Sequence, residues 1–134
     1  IAKHLPAVIY EYTIYPDGPA RFTYVSDSCE SILGVSSEMI LADASLMDRL
    51  IVEDDLGSMQ TSSQESQRRK QDWSWEGRMM IRGQQRWIEV YSNHESLEDG
   101  RVIRRGIIQD ITNRRISARE SEVRYQSLIK RLPI

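Results

Sequence analysis

The order of extended and helical segments predicts an α+β domain: a five-stranded antiparallel sheet with short helices gathered on one face, followed by a separate C-terminal helix. Three observations carry this. Two segments rich in β-branched and aromatic residues flank the turn Pro16-Asp17-Gly18-Pro19. Three more extended segments follow residue 72, separated by Arg82-Gly83 and Asp99-Gly100. Between the two groups, residues 27–70 are punctuated by helix caps and stops and show no alternation.

Residues 8–15 have strand composition, and Pro and Gly in the following turn set a fixed φ and accept a positive one. Residues 21–26 then form the second strand of a hairpin. Asp27 and Ser28 cap a short helix through Leu33, which Gly34 stops. Ser36 or Ser37 caps another, and residues 44–50 form a third. A longer helix is expected over residues 53–70, with Glu53, Asp54 and Asp55 at its start and Arg68, Arg69 and Lys70 at its end, as the helix dipole favours. Its apolar face is thin, mainly Leu56 and Met59 with small Ser63 beyond, so it should cover a sheet. Residues 73–81, 86–96 and 101–111 read as strands, and Asp99-Gly100 is a strong hairpin signal. Thr112 is expected to N-cap the last helix, with Asp110 near its positive end.

Composition narrows the function classes. The chain has 134 residues, 40% of them hydrophobic and 28% charged, the balance of one soluble globular domain. A net charge of −2 gives no global nucleic-acid footprint. No apolar run approaches the roughly 18 residues that span a bilayer, so membrane contact is not expected of this segment. One cysteine, Cys29, makes no internal disulfide, and with only His4 and His94 beside it a protein-built zinc site lacks soft ligands. The absence of an initiator Met and of a signal peptide leads us to expect a cytoplasmic fragment of a longer protein.

Charge is uneven. In residues 113–132 the bases Arg114, Arg115, Arg119, Arg124, Lys130 and Arg131 stand against only Glu120 and Glu122, so an acidic body (residues 1–112) carries a basic tail (113–134). The tail holds a weak apolar seam of Ile116, Val123, Leu128, Ile129 and Leu132, fit for pairing with another helix or lying along the sheet. Aligning Pro6 with Pro133 superposes Lys3 on Lys130 and Leu5 on Leu132, as if a second copy of the domain began at the end of the chain.

Across nearly its whole length the sequence resembles a PAS domain with its PAC half. The residues that carry the likeness are Leu5-Pro6-Ala7-Val8-Ile9-Tyr10, the run from Tyr24-Val25-Ser26-Asp27-Ser28 to Leu33-Gly34, Trp75-Glu76-Gly77-Arg78, Arg86-Trp87-Ile88-Glu89, and Gly106-Ile107-Ile108-Gln109-Asp110-Ile111-Thr112 with its Asp-Ile-Thr signature. Residues 119–125 are similar to the family's inter-domain linker, although the linker after Thr112 is about one helical turn shorter than in many members. Ile51-Val52-Glu53-Asp54 stands where the family often has His-Pro-Glu-Asp. The resemblance implies a non-catalytic sensor in a multidomain signalling protein. Its partners would be a second copy in a homodimer, an adjacent PAS domain, and an output domain such as a histidine kinase or a cyclic-di-GMP-making or -degrading enzyme. A ligand-free dimerisation or spacer domain is the alternative.

The family binds haem, flavins, small acids or nothing. The light-responsive flavin subgroup has its reactive Cys in an Asn-Cys-Arg motif on a middle helix, whereas Cys29 lies in the first short helix. That subgroup also has a Gln where Ile108 stands, and Gln109 points to the opposite face of the strand. Neither a covalent flavin adduct nor haem is expected; His94, the one His of the sheet segments, reads as a surface or hydrogen-bonded residue. Strand parity turns Met79, Ile88, Val90, Ser92, Gly106 and Ile108 toward the helices, with Cys29 and Ile32 closing the same space. This lining suits either a filled core or a pocket for an uncharged molecule, and offers no cationic cradle for a dicarboxylate. Asp110, Ile111 and Thr112 are the expected signal-transmission residues. The bases Arg101, Arg104, Arg105, Arg114 and Arg115 read as a solvated strand edge and helix face, and Trp73, Trp75 and Trp87 as sheet packing. An outward Trp87 with Tyr91 would be covered by a dimer partner or by a helix preceding the first strand. No catalytic constellation can be assembled from two histidines and one cysteine.

Overall fold

The computed structural model describes residues 7–132. His4 and the end-to-end match that needs Lys3, Leu5, Pro6 and Pro133 lie outside the described residues. The chain opens with the hairpin β1 (Ala7–Ile14) and β2 (Arg21–Val25), which bulges between Glu11 and Tyr12. Four helices follow: α1 (Ser28–Leu33), α2 (Ser37–Ala42), α3 (Ser45–Leu50) and α4 (Glu53–Arg68). Then come β3 (Trp73–Ile81), β4 (Gln84–Ser92), the two-residue β5 (Glu95–Ser96), β6 (Val102–Asp110) and α5 (Thr112–Lys130).

The sheet order is β2-β1-β6-β4-β3, with β5 paired to β6 off this path. Every pairing is antiparallel, and the first and last long strands lie side by side at its centre, Val8 opposite Ile108 and Tyr12 opposite Arg104. The sixth strand and an early end to β4 revise the sequence expectation of one strand over 86–96. The ladder breaks at Asn93 and His94, where the His94 N–H turns aside to donate to Asp72 Oδ1 at 3.1 Å.

Local chemistry sets most boundaries. Gly34 closes α1 at φ +78°, a conformation that costs glycine nothing. Ser36 caps α2 by accepting the Met39 N–H, and Asp43 accepts both the N–H and the hydroxyl of Ser45 at the start of α3. The Ser28 hydroxyl donates to the Ala7 carbonyl, while Ser26 donates to Ser28 and accepts the Ile9 N–H. This buried relay seats α1 against β1 without leaving a polar group unpaired.

The way α4 docks explains its thin apolar face. Met59 is buried, yet the row that meets β3 is polar: Asp55 accepts three N–H groups of Arg78, Ser58 accepts the Trp75 indole N–H at 2.9 Å, and Ser62 that of Trp73 at 2.9 Å. These positions recur at helical spacing, so hydrogen bonds do the docking that an apolar stripe does elsewhere. The core beneath comprises Val8, Tyr10, Cys29, Leu33, Ile40, Met79, Ile88, Val90 and Ile108.

Candidate functional site

Between the sheet and the roof made by α3 and α4 lies a cavity of about 500 Å³. Its floor is Met79, Ile88, Val90 and Ile108; one wall is aromatic from β1 and β2 (Tyr10, Tyr12, Phe22) and the other from β3 (Trp73, Trp75). Tyr12 and Phe22 meet edge to face at 4.9 Å, which stiffens the first wall. The mouth is rimmed by exposed Ser45, Gln60 and Gln64. The Trp75 wall depends on Gly77: a Cβ there would fall 2.0 Å from the Trp75 ring, so only glycine lets the indole lie flat along its strand.

Four of the eight residues expected to face a pocket line this cavity: Met79, Ile88, Val90 and Ile108. Cys29 and Ile32 do not, because α1 packs on β1 while α3 and α4 form the roof. Cys29 is fully buried, and burial with the nearby charges of Asp27 and Glu30 pushes its thiol up, away from the reactive thiolate. Ser92 is buried behind the lining. Gly106 lies where β6 approaches β4 so closely that a Cβ would meet the Tyr91 carbonyl oxygen at 2.1 Å.

The largest correction concerns Arg104. Expected on a solvated edge, it is 4% exposed and lines the cavity. Its Nε donates to Gln67 Oε1 at 3.2 Å, Nη1 to Ser92 Oγ at 3.4 Å, and Nη2 to the Gln71 carbonyl and to His94 Nδ1, both at 3.2 Å. A guanidinium only donates, so His94 Nδ1 is the acceptor and the imidazole proton sits on Nε2, facing Ser96 Oγ. Burial and then the Arg104 charge push the His94 pKa down, which keeps the ring neutral. Burial also raises the Tyr10 phenol against the opposing pull of Ser92 and Arg104.

Alternation along β6 was the signal for Arg104, since it shares parity with Gly106 and Ile108. The same parity joins Tyr10 and Tyr12 to Val8, and Trp73 and Trp75 to Met79. Assignment by residue type hid all five.

At the far end of β6 the chain passes into α5. Asp110 uses both carboxylate oxygens: Oδ2 accepts from Arg86 Nε at 2.8 Å, and Oδ1 takes the Thr112 N–H at 2.9 Å and its hydroxyl at 2.6 Å. Burial opposes ionisation of Asp110, but the Thr112 and Arg86 hydrogen bonds outweigh it and lower the pKa. Thr112 does not N-cap the helix, contrary to expectation; its Oγ1 accepts the Trp87 N–H at 2.8 Å, while the Ile111 N–H donates to the Trp87 carbonyl. The helix start is therefore pinned across to β4.

The first turn of α5 also lies on the outer face of the sheet. The Arg115 guanidinium stacks 3.6 Å from the Trp87 ring centre and reaches Glu76, and Arg114 reaches Glu89. This helix thus lays its own Arg115 side chain across Trp87. Tyr91 stays exposed. From Asn113 to Leu132 every residue is exposed, including all five of the expected apolar seam.

Among the described residues no cluster of three His, Cys, Asp or Glu side chains has a metal-binding arrangement, and no helix is long and apolar enough to cross a membrane. The sequence matches the family described as the PAS fold over residues 22–108. No curated protein matches it. Among solved structures, it is similar to the N-terminal domain of a diguanylate cyclase with PAS/PAC sensor from Marinobacter aquaeolei (TM-score 0.71, 16% identity, covering 81% of this chain and 98% of that one). It is also similar to a sensory box histidine kinase/response regulator from Burkholderia thailandensis (TM-score 0.66, 17% identity, 93% and 92% covered). A third likeness is to the RpfR quorum-sensing receptor PAS domain of Cronobacter turicensis, in complex with BDSF (TM-score 0.53, 16% identity, 84% and 100% covered). A sheet with its helices on the inner face, an exit helix begun by Asp110-Ile111-Thr112, and the match over residues 22–108 together make this chain a member of the PAS fold family, a family of regulatory sensor modules.

Proposed function

We propose that this PAS domain is a non-catalytic sensor whose cavity holds a small ligand or a partner's side chain and whose signal leaves through α5. The observation that carries this reading is the course of β6. Arg104 and Ile108 line the cavity, and two residues after Ile108 the same strand ends in Asp110, which holds the start of α5. A shift of β6 on occupancy therefore acts directly on Asp110, Ile111 and Thr112 and turns the helix that follows. The output domain is a histidine kinase or a cyclic-di-GMP diguanylate cyclase or phosphodiesterase further along the chain, in keeping with the parent proteins of the Marinobacter and Burkholderia domains. The bound BDSF of the Cronobacter domain supports a ligand for this fold.

Native mass spectrometry of freshly purified protein tests ligand capture, and hydrogen exchange at residues 112–118 tests transmission. A reproducible added mass is expected, and the cavity-filling variant Ile108→Trp should change exchange at the helix start. No added mass together with unchanged exchange in that variant would sink the sensor reading.

A second reading, a ligand-free dimerisation or spacer module, is favoured by one observation: Ile116 and Val123, seven positions apart and so on one stripe of α5, stand exposed. In either reading we propose a homodimer paired along this stripe. Light scattering should give twice the chain mass, reverting to monomer in Ile116→Glu/Val123→Glu.

A further inference from the structure

Arg104 is a buried cation held only by neutral groups. Its four acceptors are an amide oxygen, a hydroxyl, a backbone carbonyl and an imidazole nitrogen. It takes part in none of the ion pairs among the described residues. The negative groups whose fields it feels are Tyr10, a phenol neutral at physiological pH, and Asp72, which acts from a distance and makes no direct ion pair with it, its carboxylate accepting from the Tyr91 hydroxyl and the His94 N–H. Asp48, the one acidic side chain lining the cavity, acts on Tyr12 and forms no ion pair with Arg104. Removing a guanidinium from water without a counter-charge is costly, so buried charges are ordinarily paired.

Donor geometry points the same way. A guanidinium has five N–H groups and these four bonds use one each, which leaves one Nη1 N–H free. The other Nη1 bond, to Ser92 at 3.4 Å, is the longest of the set. Arg104 is the one cationic side chain lining a cavity whose walls and floor are aromatic and aliphatic, the polar residues Ser45, Asp48, Gln60, Ser63 and Gln64 being contributed from α3 and α4. One fixed cation beside aromatic walls and an aliphatic floor recognises one anionic group attached to an apolar body.

We propose that the cavity binds an amphipathic monocarboxylate, its carboxylate on Arg104 Nη1 and its aliphatic or aryl body between the Tyr12–Phe22 and Trp73–Trp75 walls. This rests on the sensor reading above but fails separately from it. The neutral His94 ring keeps a second positive charge away from Arg104, so the site is matched to one carboxylate and not to two. The sequence leaves two alternatives, a filled core or a pocket for an uncharged molecule, and a bound monocarboxylate departs from both.

The test uses the whole 134-residue chain and two acid–amide pairs, decanoate with decanamide and phenylbutyrate with phenylbutyramide. Binding is read by quenching of Trp73 and Trp75 fluorescence and by calorimetry. In at least one pair the acid should bind about tenfold or more tightly than its amide, the scale of a charge-assisted hydrogen bond. Arg104→Gln should erase that preference, and Arg104→Lys should keep part of it. Equal binding of acid and amide overturns the carboxylate assignment and leaves a neutral-ligand sensor standing. Binding of none of the four overturns it too, and native mass spectrometry then decides the sensor reading by itself. Should Arg104→Gln fail to fold, the acid–amide comparison on the unmodified chain still decides.

Discussion

Arg86 Nε donates to Asp110 Oδ2 at 2.8 Å while Oδ1 of the same carboxylate holds the N–H and hydroxyl of Thr112. One partly buried side chain thus joins β4, the end of β6 and the first residue of α5. Asp110→Ala should cost about 1–3 kcal/mol, because it leaves the Arg86 charge and the Thr112 N–H without their acceptor. Asp110→Asn should cost less, since an amide oxygen still accepts from Thr112. Hydrogen exchange should quicken first at residues 112–115 in both. Unchanged protection there in Asp110→Ala would mean that the Trp87–Thr112 bond alone holds the helix start.

The flat Trp75 indole makes Gly77 intolerant of any side chain. Gly77→Ala puts a methyl 2.0 Å from the ring, so the indole must swing and its bond to Ser58 is lost. Destabilisation of about 1–3 kcal/mol is expected, with a red shift of tryptophan emission as Trp75 meets water. A urea midpoint within error of the parent would show that the wall repacks freely.

Arg115 covers Trp87 from α5, so this contact reports whether the helix is seated. Arg115→Ala should expose the indole and cost about 0.5–1 kcal/mol, and Arg115→Lys should be intermediate because a compact ammonium loses the planar stack. Trp87 emission that does not respond to Arg115→Ala would show that the helix is not seated on the sheet in solution.

Acid should act in two stages, both with the same sign. Burial, and then Arg104 and Lys70, lower the His94 pKa, with Asp72 opposing. The unfolded chain therefore takes up this proton first, and stability falls as pH drops below about 6.5 toward the folded pKa. Asp55 is lowered chiefly by its Arg78 hydrogen bonds, and Asp110 is lowered despite burial by Thr112 and Arg86. The stability they contribute is present above about pH 4 and is lost as pH falls through their lower folded values. Urea midpoints across this range measure both stages, and His94→Asn should remove the upper one. A midpoint flat from about pH 7 to 5 in the parent chain would contradict the neutral His94.

The sequence alone determined what depends on neighbours along the chain. Turn residues such as Pro16-Asp17-Gly18-Pro19 and Asp99-Gly100, the Gly34 stop, the Ser36 cap and the strand alternation all act within a few residues. They were enough for the β-β, helices, β-β-β order, for the floor of the cavity and for the family. The tertiary structure decided the rest, because burial of a charged or aromatic residue depends on what packs over it. Arg104 is buried because Gln67 and Gln71, more than thirty positions earlier in the chain, meet it at the end of α4. Thr112 gives up its cap because the Trp87 N–H, 25 positions earlier in the chain, needs an acceptor. Trp87 is covered because the Arg115 guanidinium comes to lie across it once β4 and β6 are paired. Each of these partners is brought close only by the sheet, and no window along the sequence contains both members of the pair.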